Sequence, residues 1–279
     1  MSSRLPGSPR YPRLQAGAAT HWLLVACLLG APNLAWAGSI FLTGHDPDFH
    51  ALRGPNSVGA KNINAIAIGF VRDPAFNPFV TDISRFLFVE SNIPAPRGHV
   101  IGKDGIIASG FVECSPSTES ECDFEHHDAT TLDHQLDVLG TKYDAIVVAS
   151  DFGGLLTQAE LDVLNDRSAD IIEFLETGGG LYAMAESNSG ASLTPDGGHF
   201  GFLPFGVGTT PSNGFDAGVT VWIIGESLGL ETDDVNGNFS HNVFDDTFGL
   251  EIVDLDRRGI LGLAGREAAD QTPQERGSD

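Results

Sequence analysis

The sequence predicts an α/β fold in which a mostly parallel central sheet is covered by helices. Short apolar runs rich in β-branched and aromatic residues alternate with segments whose apolar residues recur at helical spacing. The composition is that of a globular chain, since 41% of the 279 residues are hydrophobic and 19% are charged. We expect one domain over residues 38–266 and a flexible tail over 267–279.

Four elements are predicted in the first half of this domain. Residues 39–43 form a short apolar strand, and residues 56–71 form a helix with its apolar side chains on one side. Residues 85–90 form a second strand, and residues 132–139 form a short helix with leucines along one stripe. Between these two, residues 91–125 contain Pro, Gly and two cysteines and show no clear periodicity.

The middle of the chain has the clearest pattern. Residues 143–150 (YDAIVVAS) predict a buried strand. Thr157 and Glu160 form a capping box that begins a helix, which breaks near Asp166 and ends at three consecutive glycines. Residues 181–185 predict the next strand. Strands that alternate with helices in this way are typical of a parallel sheet.

The C-terminal part is predicted to be rich in loops and β-structure. After residue 190 the chain contains aromatic and glycine-rich turns, such as HFGFLPFG. Three short strands are expected there, at residues 219–223, 251–254 and 260–264.

The stretch from Tyr143 to Glu186 resembles a known family in its order of motifs. A strand ends in a polar and glycine turn and is followed by LTQAELDVL, by IIEFLETGGG and by a short strand. This order resembles the ThuA-like branch of the class I glutamine-amidotransferase-like superfamily. TGHD after the opening strand, and SHNVF followed by Gly-Leu, are similar to motifs of the same family. The chain also resembles a group of secreted bacterial proteins that carry LTGHDPDFH and GGLYAMAESN.

The resemblance covers residues 39–265 and implies a flavodoxin-like, three-layer α/β fold. It does not imply glutamine hydrolysis, because the amidotransferases carry a cysteine at the elbow after the strand that corresponds to 181–185. Here Ala185, Glu186 and Ser187 occupy the elbow, and the family's His-Pro-Glu motif is missing. The family's connection with sugar metabolism implies a polyhydroxylated or carbohydrate-type ligand.

Charge and targeting signals restrict the possible partners and the compartment. The chain has 15 Lys and Arg against 38 Asp and Glu, and the resulting net charge of −23 excludes nucleic-acid binding by a basic face. Three arginines, the apolar run WLLVACLL and a final AWA predict a signal peptide over residues 1–37. No later run reaches the roughly 20 apolar residues of a membrane span. We therefore expect a secreted or periplasmic bacterial protein without a transmembrane span in the mature chain.

Cysteine usage agrees with export. Of the three cysteines, Cys27 lies in the predicted signal peptide, which leaves Cys114 and Cys122 on either side of a short polar loop. A pair in an exported chain predicts a disulfide. Cysteine catalysis is therefore not expected.

Polar side chains follow the predicted parallel strands at the edge of the sheet where α/β proteins bind ligands. The segment HDPDFH, with His45, Asp46, Asp48 and His50, offers imidazole and carboxylate ligands for a divalent metal such as zinc, manganese or iron. In the alternative interpretation, Asp46 or Asp48 caps a helix and the histidines bond to the backbone.

Two further arrangements are candidates at the same edge. Ser187 could act as a nucleophile with His199 as base and with Asp151 or Glu186 orienting the imidazole, or it could belong to a polar turn. Asp151 and Glu186 could work as an acid and base pair, hold a cation, or bond to loop amides.

The sequence thus predicts a pocket for a small polyhydroxylated or carbohydrate-type ligand, which is bound or hydrolysed by His45, Asp46, Asp48, Asp151, Glu186 and His199. Two alternatives stay open: a non-catalytic surface or matrix protein, and a serine hydrolase that uses Ser187. Beyond a possible divalent metal, no cofactor is indicated, and the sequence does not determine the oligomeric state.

Overall fold

The computed structural model describes residues 38–81, 83, 85–151, 153–184, 193 and 198–266. The described residues belong to one compact unit. The predicted signal peptide and the predicted tail at 267–279 lie outside them and stay predictions.

Ten strands of the described chain form one large mixed sheet. Five are parallel and lie in the order β3-β2-β4-β5-β1: β1 (Ser39–Thr43), β2 (Phe86–Val89), β3 (Phe124–His127), β4 (Ala145–Val148) and β5 (Gly180–Ala183). The sheet continues beyond β1 with antiparallel strands in the order β10-β8-β6: β6 (Thr209–Phe215), β8 (Phe239–Phe244) and β10 (Gly259–Arg266). Strand β9 (Glu251–Asp256) also pairs with β10, and β7 (Thr220–Val221) pairs with β9.

Helices pack against this sheet at several places. The described helices are α1 (Pro47–His50), α2 (Ser57–Val71), α3 (Gly102–Ala108), α4 (Ala129–Leu136), α5 (Gln158–Asp166), α6 (Ser168–Glu176) and α7 (Ile223–Leu228). Helix α2 contacts β1 and β5, α4 contacts β3, and α7 contacts β9. Helix α1 contacts both α2 and α3. None of the described helices has the length and apolar character needed to cross a membrane.

The core explains why four of the five parallel strands were predictable and why β3 (Phe124–His127), with one buried residue, was not. All four residues of β2 (FLFV) and of β4 (AIVV) are buried. A continuous apolar run is what a central strand covered on both sides requires. The rings of Phe41 and Tyr182 meet edge to face on neighbouring strands, with centroids 5.6 Å apart.

The structure confirms the mixed α/β class and several local predictions. Thr157 and Glu160 form the capping box, and the helix that it begins breaks at Arg167 into α5 and α6. The disulfide between Cys114 and Cys122 is present, with a Cα–Cα distance of 4.9 Å.

Other elements differ from the sequence analysis. The strand expected at 219–223 is only two residues long, because helix α7 begins at Ile223. Strands β6 and β8 were not predicted. Strand β6 (TTPSNGF) contains Pro, Gly and a register irregularity. Strand β8 (FSHNVF) has three consecutive polar residues at its centre, and five of its six residues are buried. Such strands lack the period of a half-buried strand.

Two glycines in helices offer a test of the contact between α1 and α3. A Cβ at Gly105 would overlap the carbonyl oxygen of Asp48, whereas a Cβ at Gly69 in α2 would meet open space. We expect Gly105→Ala to lower the free energy of unfolding by about 1–3 kcal/mol through overpacking. Gly69→Ala should raise it by about 0.5–1 kcal/mol, because alanine favours the helix. Urea unfolding followed by circular dichroism measures both, and shifts of the same sign would contradict the described contact.

Candidate metal centre

Helix α1 places the HDPDFH segment against the end of the parallel sheet. The chain leaves β1 at Thr43, and Pro47 occupies the first position of α1, where its fixed φ suits a helix start. Asp46 is the N-cap residue but makes no side-chain capping bond. Because Asp46 and His50 are four residues apart across one helical turn, their side chains lie on the same side.

Strand β8 brings a third ligand to this pair. Nε2 of His50 lies 3.1 Å from Oδ1 of Asp46, and Nε2 of His241 lies 3.3 Å from Oδ2 of the same carboxylate. One ligand atom from each residue can be chosen so that all three lie within 4.8 Å of one another. All three residues are buried. They form the candidate metal centre.

The orientation of these groups is unusual for a simple ion-pair cluster. Neither oxygen of the Asp46 carboxylate accepts a well-aligned hydrogen bond from any described residue, although each lies within 3.3 Å of an imidazole nitrogen. Buried carboxylates normally have aligned donors. Both carboxylate oxygens are therefore available to a cation that lies between the three side chains.

The backbone around His50 fixes the tautomer of its ring. Nδ1 of His50 lies 2.9 Å from the carbonyl oxygen of Arg53, which can only accept a hydrogen bond, so Nδ1 carries a proton. The ring then presents Nε2 towards Asp46. A Cβ at Gly54 would lie 2.5 Å from Nδ1, so only glycine permits this contact, and its φ of +122° also favours glycine. An imidazole oriented by a backbone carbonyl is characteristic of metal-ligating histidines.

Electrostatics hold the carboxylate in its ionised form. Burial alone would raise the pKa of Asp46, but its contacts with His241 and His50 outweigh burial and lower the pKa. Burial likewise opposes the charged form of His50, and the contact with Asp46 raises its pKa in spite of that. The site therefore contains a charged oxygen ligand.

A pocket of about 310 Å³ opens onto the candidate metal centre. Besides the three ligands it is lined by Phe49, Gly98, Gly153 and Phe239. Gly153 follows β4 and Asp46 follows β1, so the pocket lies at the carboxyl ends of the parallel strands, where ligands bind in open α/β sheets.

Asp48, another residue of the predicted metal set, lies away from the candidate metal centre and holds α1 in place. Its Oδ2 accepts from the backbone N–H of Ser150 at 2.9 Å, and its Oδ1 accepts from the Ser150 hydroxyl at 2.7 Å. Burial raises the pKa of Asp48 to about 6. The hydrogen bonds of this carboxylate join the first helical turn to the end of β4.

His45 is also held apart from the other predicted ligands. Its Nδ1 lies 3.2 Å from Asp216 and its Nε2 lies 2.8 Å from Asp254. Burial would lower the pKa of His45, but the two carboxylates raise it to about 10. Arg258 also pairs with Asp216. Both ring nitrogens of His45 are thus used in a buried ion cluster, and neither is open to a metal.

The structure gives less information on the remaining candidates. Glu186 and Ser187 lie outside the described residues. Asp151 is buried directly beyond β4, and His199 is half-buried, with its pKa lowered by burial. Neither belongs to the converging ligand group found among the described residues.

Sequence reasoning did not assign His241 to the site. It lies in the segment SHNVF, which was considered only for its resemblance to a family motif. The available signal was a histidine inside a short run with apolar residues at its end. That signal indicates a site residue only when the sheet order is known, because β8 lies two strands from β1.

Glu90, which follows β2, was not predicted to have any role. Its buried carboxylate accepts from the backbone N–H groups of Lys103 at 3.0 Å and Leu155 at 3.1 Å, and also from Gly102 at the start of α3. Burial raises the pKa of Glu90 to about 8, and the nearby Asp48 acts in the same direction.

This pKa predicts how stability changes with pH. An acid whose pKa is raised on folding binds its proton more tightly in the native state, so its contribution to stability falls between the unfolded value of about 4.5 and the folded value of about 8. Glu90→Gln mimics the protonated acid. The melting temperature of Glu90→Gln minus that of the native protein should therefore increase from pH 5 to pH 9. Glu251→Gln, at an exposed position, is the control, and an equal pH trend in both variants would contradict the assignment.

No family model matches the chain, and comparisons with curated proteins and with solved structures found no significant match. The resemblance to ThuA-like proteins therefore stays a prediction, and the candidate metal centre rests on its geometry.

Proposed function

We propose that the protein binds a divalent transition metal, zinc before others, at Asp46, His50 and His241, and that it binds and hydrolyses a small ligand in the adjoining pocket. One observation carries the proposal. Three buried ligand atoms from two distant segments of the chain converge at a pocket at the carboxyl edge of the sheet.

The donor set and its spacing fit such an ion. Two imidazole nitrogens with one carboxylate oxygen are common ligands of catalytic zinc and of non-haem iron. A tetrahedral ion with bonds of about 2.0–2.1 Å places its ligand atoms roughly 3.4 Å apart. The two oxygen–nitrogen separations of 3.1 and 3.3 Å belong to different oxygens of Asp46, and with one ligand atom from each residue the three atoms lie within 4.8 Å of one another. The side chains would therefore adjust to bring one oxygen and both nitrogens to such an ion.

The number of protein ligands favours a catalytic or ligand-binding site. Structural zinc sites are closed by four protein ligands, whereas catalytic sites use three and leave one position open. The described residues supply three, and the pocket lies beside them.

Each described residue of the site then has a definite task. When bound, an ion of this class polarises a ligand carbonyl and activates water for attack. Asp46 supplies negative charge next to the cation, and the Arg53 carbonyl orients His50. Phe49 and Phe239 form an apolar wall that limits access of bulk water.

The strand order supports the finer fold assignment that we propose. In chain order the five parallel strands lie 3-2-4-5-1, and the order becomes the flavodoxin-like 2-1-3-4-5 when the strands are renumbered from β2 with β1 last. We therefore propose a flavodoxin-like arrangement in which the first strand of the chain takes the fifth place, and to which the antiparallel strands are an addition.

We further propose that the protein works outside the cytoplasm. The disulfide between Cys114 and Cys122 supports this compartment, because structural disulfides persist in oxidising surroundings. The net charge of −23 is suited to solubility there.

Metal content of the purified full chain tests the proposal. Elemental mass spectrometry should find about one equivalent of zinc or a related ion, and His50→Ala and His241→Ala should each lose most of it. His134→Ala is the matched control, because His134 is exposed on α4. Chelation should lower the melting temperature of the native protein, since the ion binds only the folded state.

Absence of bound metal after growth and dialysis with zinc would overturn the metal proposal. The non-catalytic surface protein would then be favoured, and labelling with a serine-directed phosphonate would test the hydrolase that uses Ser187. Equal metal content in His50→Ala, His241→Ala and the control would place the ion elsewhere.

A glycine tests whether the position of the carboxylate matters. A Cβ at Gly153 would lie 2.5 Å from Oδ2 of Asp46, so Gly153→Ala should displace the carboxylate without removing any ligand. We expect zinc affinity to fall about ten- to a hundredfold, as for other changes that misorient ligands. Gly206→Ala, at a position with open space, should bind zinc normally in the same competition assay with a chromogenic chelator. Unchanged affinity in Gly153→Ala would contradict the described geometry.

A further inference from the structure

We infer that the ligand of this pocket carries a single flat, apolar ring next to its metal-binding group, and that Phe239 and Phe215 form the surface on which the ring packs. This inference rests on the proposed function, because the metal-binding group of the ligand would contact the ion at the candidate metal centre.

Strand β8 places Phe239 beside the ligands. Residues two apart on a strand point to the same face of the sheet, so Phe239 and His241 share a face of β8. The backbone N–H of Phe239 lies 3.4 Å from Nε2 of His50. Phe239 lines the pocket. This aromatic residue therefore adjoins His50 through its backbone and shares a strand face with His241.

The neighbouring strand extends this apolar surface away from the metal ligands. Phe215 of β6 is the direct cross-strand partner of Phe239, and the two ring centroids are 5.3 Å apart at an angle of 75°. The two residues remain 51% and 41% exposed, respectively. Paired exposed aromatic rings that continue from a pocket indicate a binding surface, whereas single scattered apolar residues do not.

The lining of the pocket indicates what packs there. Among its described lining residues, the polar side chains are those of Asp46, His50 and His241, and the proposed ion uses all three. The rest of the described wall is aromatic or glycine. Against the described part of the wall, a polyhydroxylated body would place hydroxyl groups on apolar carbon, which is costly. An aromatic ring would instead gain from burial against Phe49 and Phe239.

The size of the pocket limits the ligand to about one ring. A volume of about 310 Å³ lies at the lower end of the range for small-molecule sites, which is about 300–1,000 Å³. A compact acid or acyl compound with one aromatic ring and one metal-binding group is the class that fits both volume and lining.

Three hydroxamates distinguish the contribution of the ring to affinity from that of the metal-binding group. Benzohydroxamate, acetohydroxamate and gluconohydroxamate share the group that binds zinc and differ in the attached body. With the zinc-loaded full chain, calorimetry should show that benzohydroxamate binds about tenfold or more tightly than acetohydroxamate, because it buries a phenyl ring. Gluconohydroxamate should bind no better than acetohydroxamate.

Variants connect this preference to the aromatic pair. Phe239→Ala should reduce the benzohydroxamate to acetohydroxamate ratio to nearly one while zinc content is unchanged, and Phe215→Ala should reduce it in part. Ile223→Ala is the control, since Ile223 is 82% exposed on α7 and lines no described part of the pocket. It should keep the native ratio.

The possible failures can be told apart. Two results would overturn the ring-binding inference and leave the metal proposal intact. In one, the native protein binds benzohydroxamate and acetohydroxamate about equally; in the other, Phe239→Ala keeps the affinity ratio of the native protein. Tighter binding of gluconohydroxamate would overturn it in favour of a carbohydrate-type ligand. A chain that takes up no zinc would overturn both.

Discussion

The buried contact between Asp48 and Ser150 is the constraint on which the site depends. It fixes the first helical turn after β1 to the end of β4, two strands away in the sheet. Gly102 and Gly154 leave room for the carboxylate, because a Cβ at either position would overlap it. Since Asp46 and His50 flank Asp48 on the same short helix, their positions are fixed by the same contact.

Acidic residues in this protein have two different roles, and burial separates them. Those that face solvent give the chain its net charge of −23, whereas the buried ones each have a structural or ligating task. Glu90 accepts hydrogen bonds from the first backbone N–H groups of α3. Asp216 and Asp254 pair with His45. Asp46 contacts the imidazoles of His50 and His241. Among these buried carboxylates, Asp46 is the one that adjoins the pocket. In the function we propose, Asp46 is therefore the acid of this group that would hold the ion.

Four of the five parallel strands could be predicted because their signal is local, whereas β3 (FEHH) is polar at three of its four positions and was not predicted. The runs FLFV and AIVV are apolar at every position, and the capping box at Thr157 is visible within four residues. Strand β8 could not be predicted, because its burial depends on pairing with β6 and β10. The same limit applied to the site. The four-residue spacing of Asp46 and His50 could be read from the sequence. His45 and Asp48 have the same ligand chemistry, however, and only the fold shows that their side chains point away from the candidate metal centre.

The two ends of the domain both contribute to the candidate metal centre. Asp46 and His50 follow the first strand of the described fold, whereas His241 lies in the eighth. No local segment contains the complete set, so a chain that is still being synthesised, or is carried across a membrane unfolded, cannot hold the ion there. Loading of the proposed ion would come after the C-terminal strands have joined β1. For the proposed site, the order of events is therefore folding first and loading second, so the compartment in which folding ends would determine which metal reaches it.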